Sequence, residues 1–209
     1  MEPSGRLPNS IPKSASDYGS PLVELPSNVT DPNAWQADYV EGQMTDYRHF
    51  DADKGLESLH EFGFGRSYTF EMEQELNGTL RGMPLTPTPD QSKGITPGGL
   101  TDLWTIAAVA TVNTTNNGAR AGSAVPQLYV SLPQDTTPPG TPVKVLRGFE
   151  KLHLLPGETQ TVTFDPTRRD VSFWDVDKKT WAIPAGPIRF TTRFSSKDLY
   201  AVVELVVLD

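Results

Sequence analysis

Between Asp46 and Glu61 the sequence gathers Asp46, Asp51, Asp53, Glu57 and Glu61 around Arg48 and His49. A carboxylate beside a histidine can move protons, and several carboxylates together can hold a cation. The same residue types also fasten neighbouring segments through charge-assisted hydrogen bonds, and a run dense in both signs fits that plainer chemistry better, with Arg48 as the expected anchor. The three histidines His49, His60 and His153 do not share the spacing of a zinc site, and the absence of cysteine excludes thiolate ligands and disulfides. Gly63-x-Gly65 lacks the third glycine and the opening helix of a phosphate cradle, so tight turns or close packing are expected there. Trp104, Trp174 and Trp181 have the flat apolar faces on which sugar rings stack, but their alternating neighbours place them in a core as the expected arrangement. No Gly-x-Ser-x-Gly elbow supports a serine hydrolase. No cofactor and no metal are expected.

The elements that would position these residues follow from composition and periodicity. Eighteen Lys and Arg against 26 Asp and Glu give a net charge of −8, which repels phosphate backbones and anionic lipid. Nucleic acid and membranes are therefore not expected partners. The most apolar run, Ala201 to Leu208, is interrupted by Glu204 and is too short to span a bilayer. Nineteen prolines and seventeen glycines break helices and favour short strands.

Residues 1–40 carry Pro3, Pro8, Pro12, Pro21, Pro26 and Pro32, too closely spaced for a helix, and are read as a strap lying on something else. Tyr39 to Phe70 shows sustained periodicity of neither 3.6 nor 2. Residues 81–99, with Pro84, Pro87, Pro89 and Pro97 among four glycines, are read as a flexible solvated loop. Beyond it the pattern turns to strands. Trp104, Ile106, Ala108, Ala110 and Val112 share one face; Leu128, Val130 and Leu132, then Val162 and Phe164, then Ile188, Phe190 and Phe194 point inward, with Thr161, Thr163, Arg189, Thr191 and Arg193 outward. Ala201, Val203, Leu205 and Val207 share a face of the last strand. About seven strands separated by turns predict a mainly β, two-sheet sandwich, with Trp104, Phe149, Phe173, Trp174 and Trp181 filling the space between sheets.

Three sequons, at Asn28, Asn77 and Asn113, fit the N-glycosylation acceptor and predict a secreted glycoprotein. Met1 to Lys13 is interrupted by prolines where a signal peptide has its apolar region, so an export signal is expected outside this sequence.

Three blocks in order, Tyr39-Val40-Glu41-Gly42, then Asp46-Tyr47-Arg48-His49-Phe50-Asp51, then Glu61-Phe62-Gly63-Phe64-Gly65-Arg66-Ser67-Tyr68-Thr69-Phe70, resemble the domain junction of glycoside hydrolase family 3. Gly5-Arg6-Leu7-Pro8 and Ile11-Pro12-Lys13 resemble the strap that leaves that family's α/β-sandwich domain. Gly122 to Val130, Leu146 to Lys151, Leu155-Pro156-Gly157-Glu158-Thr159 and Phe173-Trp174-Asp175 with Trp181 resemble its fibronectin type III-like domain. The resemblance implies residues 1–70 as the end and strap of an α/β domain and 71–209 as an immunoglobulin/fibronectin type III-like β-sandwich. Tyr47, Arg48, His49, Phe50, Gly63 and Gly65 would carry the junction.

The resemblance also implies a retaining mechanism on β-glucosides, with an Asp nucleophile in a Ser-Asp-Trp-like context on an N-terminal barrel and a Glu acid/base from the next domain. A barrel of that kind needs about 250 residues, and fewer than 80 precede the strands. Ser16-Asp17-Tyr18 resembles the nucleophile context only superficially, since it lies in the strap, and a retaining pair must be held about 5 to 5.5 Å apart on a rigid scaffold. No catalytic residue is therefore expected in this chain. The expected function is that of the C-terminal part of a β-glucosidase, acting in cellobiose and polysaccharide breakdown, with a structural role here and the catalytic domains as its partners. A free secreted module that binds carbohydrate or protein is the competing reading.

Overall fold

A computed structural model describes residues 6–20, 30–31, 38–65, 72–76, 81–82, 85–197 and 202–207. The sequons at Asn28 and Asn77, the end of the third junction block and the facing of the last strand's side chains lie outside what it describes.

The described residues up to Gly65 fold into a small layer of their own. Strand β1 (Ile11–Pro12) pairs antiparallel with β2 (Ser58–His60), and helix α1 (Tyr47–Ala52) lies between them in the chain. Leu7 and Phe64 extend the pairing, with Leu7 N donating to Phe64 O at 3.0 Å and Gly63 N to Leu7 O at 2.8 Å. Prolines stop the strap from coiling, so side chains satisfy its backbone instead: Ser10 N donates to Asp46 Oδ1, and Phe62 N to Ser10 Oγ at 3.1 Å.

The rest is a sandwich. One sheet runs β3 (Met72–Leu76), with β4 (Arg81–Gly82) also on the central strand β7 (Ala108–Asn116), and β12 (Thr159–Phe164) on its other side. Between β4 and β7 a small hairpin forms from β5 (Ile95–Thr96) and β6 (Gly99–Leu100). The second sheet has the order β10 (Val145–Phe149), β9 (Gln127–Ser131), β15 (Gly186–Arg193), β16 (Val202–Val207). Outlying pairs join β8 (Gly122–Ala124) to β11 (Leu152–Leu154) and β13 (Phe173–Asp175) to β14 (Thr180–Ala182). The core between the sheets takes Ala108, Ala110 and Val112 from β7, Leu128 and Val130 from β9, Val162 and Phe164 from β12, and Ile188 and Phe190 from β15. Period-2 alternation in β7 and β12 accounts for that selection, and Thr161 and Thr163 face out as expected.

Trp104 and Ile106 do not continue the buried face of β7, because Thr101–Trp104 is a 3-10 turn that rotates the chain; Leu103 is buried and Trp104 is 43% exposed. The five rings expected between the sheets do not fill that space. Phe149 and Trp174 are also exposed, Phe173 and Trp181 are half-buried, and the core is aliphatic with Phe164, Phe190 and Phe194. Phe149 ends an edge strand, and the two tryptophans sit on the outlying β13–β14 hairpin.

The loop read at 81–99 is not a free connector over its described residues. β4 pairs with β7, Ile183 N donates to Pro87 O at 2.8 Å, and Arg168 Nη1 donates to Thr86 O at 2.7 Å. The buried carboxylate of Asp102 accepts from Asp90 N, Lys93 Nζ and Thr105 Oγ1 and pairs at 3.0 Å with Arg168 Nε, whose angle falls outside hydrogen-bond geometry. Asp102 and Arg168, which hold the segment through Asp90, Lys93 and Thr86, lie outside it, so its proline and glycine content gives no sign of them.

Thr191, expected on an outward face, is buried, and so is Tyr129, which lies between inward-facing Leu128 and Val130. Strand β9 is covered on both faces from Gln127 to Val130. The layer formed by residues 6–65 supplies the second cover.

Candidate functional site

The contact between that layer and the outer face of β9 and β15 is the candidate site. Tyr47, at the start of α1, is buried, meets the ring of Tyr129 edge-on at 5.8 Å and that of Phe62 at 5.3 Å, and its hydroxyl accepts from Leu146 N at 2.9 Å. Tyr129 in turn donates to Gln127 Oε1 at 2.7 Å. About one turn later in α1, Asp51 receives Lys144 Nζ on both carboxylate oxygens, and that ammonium lies 5.9 and 6.0 Å from the centres of the Tyr47 and Tyr129 rings. One cation thus ties the helix, the β9 outer face and the segment before β10 together.

A second clamp lies at the other end of the layer. Gly63, at φ 79°, passes so close to the sheet that a Cβ there would stand 2.9 Å from Gln127 Nε2 and 3.1 Å from Ser195 Cα. Only glycine combines that backbone with that approach. Ser196 N donates to Phe62 O at 2.9 Å, Ser195 Oγ to Glu61 Oε1 at 2.9 Å, and Arg6 Nη1 reaches both Gly63 O and Phe194 O. Gly65 leaves room for the same arginine, since a Cβ would lie 3.2 Å from Arg6 Nη1.

Electrostatics here are those of burial. Burial lowers the Lys144 ammonium below its ordinary range, against the pull of Asp51, and pushes the Tyr129 phenol up. Neither shift brings a proton donor to a cleft. The arrangement holds two layers in register, with Asp51 paired to Lys144 and the Tyr47, Tyr129 and Ser195 hydroxyls committed.

Of the junction residues, Tyr47 and Gly63 stand at the centre of this contact. His49 Nε2 donates to Asp17 O at 3.2 Å, its ring meets Phe50 edge-on, and Gly19 passes against it. Arg48 is not the anchor: Nη1 reaches Gln43 O at 3.3 Å and its guanidinium covers Tyr47, contacts made close by in the chain. Lys144, Ser195 and Gln127 do the anchoring. Lys144 sits in a proline-rich turn and lies 93 residues from its partner, so no local pattern marks it.

Residues 124–196 match the fibronectin type III-like domain model. The probable beta-glucosidase G of Aspergillus terreus is 44% identical over 207 residues, 98% of this chain and 25% of that protein. The structure of beta-glucosidase D2-BGL from Chaetomella raphigera superposes with a TM-score of 0.78 at 35% identity, covering 100% of this chain and 27% of that one. A glycoside hydrolase family 3 beta-glucosidase from Neurospora crassa superposes with a TM-score of 0.77 at 29% identity, over 98% of this chain and 32% of its own. The chain has the sequence and fold of the C-terminal part of family 3 β-glucosidases. It spans about a quarter of the length of the curated relatives it matches.

The other chemically capable residues make structural contacts. Asp17 closes a capping box with Ser14 on a 3-10 turn, and its carboxylate accepts from Ser14 N at 3.0 Å. His60 stacks on Phe64 at 4.4 Å, and His153 Nδ1 lies 3.3 Å from Ser123 Oγ. No group of three or more metal-ligating side chains occurs among the described residues. Asn113 lies on β7, where its Oδ1 accepts from Thr161 Oγ1 at 2.7 Å. No described helix is long and apolar enough to cross a membrane.

Proposed function

We propose that this chain is the buttress of a β-glucosidase that hydrolyses terminal non-reducing β-D-glucosyl residues, and that it stabilises the enzyme without supplying the nucleophile or the acid/base. In this reading residues 1–70 are the end and strap of the α/β-sandwich domain, and 71–209 are the fibronectin type III-like domain. The catalytic domains are its partners, and the β-glucoside is met only through them. The enzyme is secreted, carries glycans on sequons at Asn28, Asn77 and Asn113, and serves cellulose and other polysaccharide breakdown.

The observation that carries this reading is the clamp. A strap whose Tyr47, Asp51, Glu61 and Gly63 are fixed against β9, Lys144 and Ser195 transmits the position of one domain to the next through buried contacts rather than a tether. Such a clamp has value in a multidomain protein. The carboxylates of the chain support the same reading, since Asp46, Asp51, Glu61 and Asp102 all accept bonds from neighbouring segments. Incubating the 209-residue chain with 4-nitrophenyl β-glucoside is expected to release nitrophenol no faster than buffer. Turnover at an enzymatic rate would overturn the assignment of the chemistry to other domains.

A further inference from the structure

The tryptophans that leave the core come together at the surface as one cluster. Gly98 packs on Trp104, where a Cβ would stand 2.9 Å from Cζ2. The Arg169 guanidinium lies 5.5 Å from the Trp104 ring centre and 5.0 Å from that of Trp181, and Trp181 meets Trp174 edge-on at 5.8 Å. A cation between two indoles holds the series in place, so the last member is presented already ordered. That member, Trp174, is 46% exposed.

Trp174 and Trp181 form one wall of a cleft of about 300 Å³, with Pro139 and Gly140 from the connection before β10 and the side chains of Arg147 and Asp170 also lining it. Asp170 Oδ2 is committed to Thr167 N and Oγ1, both at 2.8 Å. Its Oδ1 stands 3.6 Å from Arg147 Nη1, beyond hydrogen-bond length. Both the carboxylate oxygen and the guanidinium therefore keep capacity for a ligand's hydroxyls. The two charges balance within the cleft, and the net charge of −8 repels anions. An indole plate beside a balanced acceptor and donor is suited to a neutral ring with an apolar face and a hydroxylated edge.

We propose that this cleft binds a neutral oligosaccharide, with one pyranose ring stacked on Trp174 and its hydroxyls bonded to Asp170 and Arg147. Trp104 and Arg169 are positioning residues that set the indole wall. The site stands on its own geometry; only the choice of β-linked glucose as the sugar rests on the proposed function.

The test is an NMR titration of the 209-residue chain with cellotetraose, β-1,4-mannotetraose and tetragalacturonate, following the indole N–H signals. Cellotetraose is expected to move the Trp174 and Trp181 signals saturably with a Kd on the order of 1 mM, and Trp174→Ala to weaken binding by about tenfold or more. Mapping on the unsubstituted chain decides the matter if that variant does not fold. Binding of mannotetraose but not cellotetraose at the same indoles supports the site and removes glucose as its sugar, separating it from the β-glucosidase reading. The proposal is overturned if neither neutral tetramer moves these signals at about 10 mM. It is equally overturned if tetragalacturonate binds as well, or if a folded Trp174→Ala binds unchanged.

Discussion

Asp102→Asn removes one charge from a network that fastens the segment before β7 to the sandwich. The side chains of Asp102 and Arg168 are each 3% exposed, and Lys93, Asp90 N and Thr105 bond the same carboxylate. The Lys93 hydrogen bond, then that from Asp90 N, with the Arg168 charge behind them, hold its pKa down from 3.8 to about 2. A shift of that size contributes about 2 kcal/mol of stability. Because the folded-state value is the lower one, that contribution is complete above the unfolded value near 3.8 and is lost as pH falls through about 2. The asparagine also leaves Arg168 buried without its counter-charge, so the total cost at pH 7 is about 3–5 kcal/mol. Urea unfolding of both proteins at a series of pH values checks this. The gap between them should narrow by about 2 kcal/mol from roughly pH 4 to below pH 2. A gap under about 0.5 kcal/mol at pH 7, the size of an ordinary surface change, or a gap flat across the acid range, would refute the reasoning.

The clamp gives two more expectations. Gly63→Ala should cost about 2–3 kcal/mol in urea unfolding, from a Cβ at φ 79° driven against Gln127 and Ser195, whereas Gly157→Ala, at φ 75° with open space around it, should cost only about 1 kcal/mol. Asp51→Ala should cost about 3–5 kcal/mol by leaving the buried Lys144 ammonium unpaired, and adding Lys144→Met should restore part of the loss, a coupling that a double-mutant cycle reads directly. Asn116→Ala should cost about 2 kcal/mol or more, since this fully buried amide donates to Arg120 O and Leu154 O and accepts from Gly118 N. Thermal unfolding of the variant gives that number.

Much of the sandwich is legible in the sequence because it is written locally. Val162, Phe164, Ile188 and Phe190 alternate with outward neighbours, and period 2 needs no knowledge of the partner strand. The same rule misplaces Thr191 and gives no sign that Tyr129 is buried, because that second face is covered by a layer more than 60 residues upstream. Trp104 fails for a different reason: a 3-10 turn of four residues changes the facing, and alternation read through it assigns the wrong side. The junction blocks are visible as a resemblance, yet their working partners Lys144, Gln127 and Ser195 are not, since each bond spans long sequence separation. Asp102 and Arg168 illustrate the same limit, a buried ion pair between residues 66 apart that turns an apparent loop into packed structure.

Under the proposed function this chain braces a β-glucosidase whose bond-breaking groups lie in other domains. Replacing the matching quarter of the Aspergillus terreus relative with this chain, and measuring the half-life of β-glucosidase activity on heating, tests it most directly. The chimera should keep activity and survive heating far longer than the relative with that quarter deleted, and Gly63→Ala within the chimera should shorten the half-life. A deletion that is as active and heat-resistant as the chimera would contradict the account.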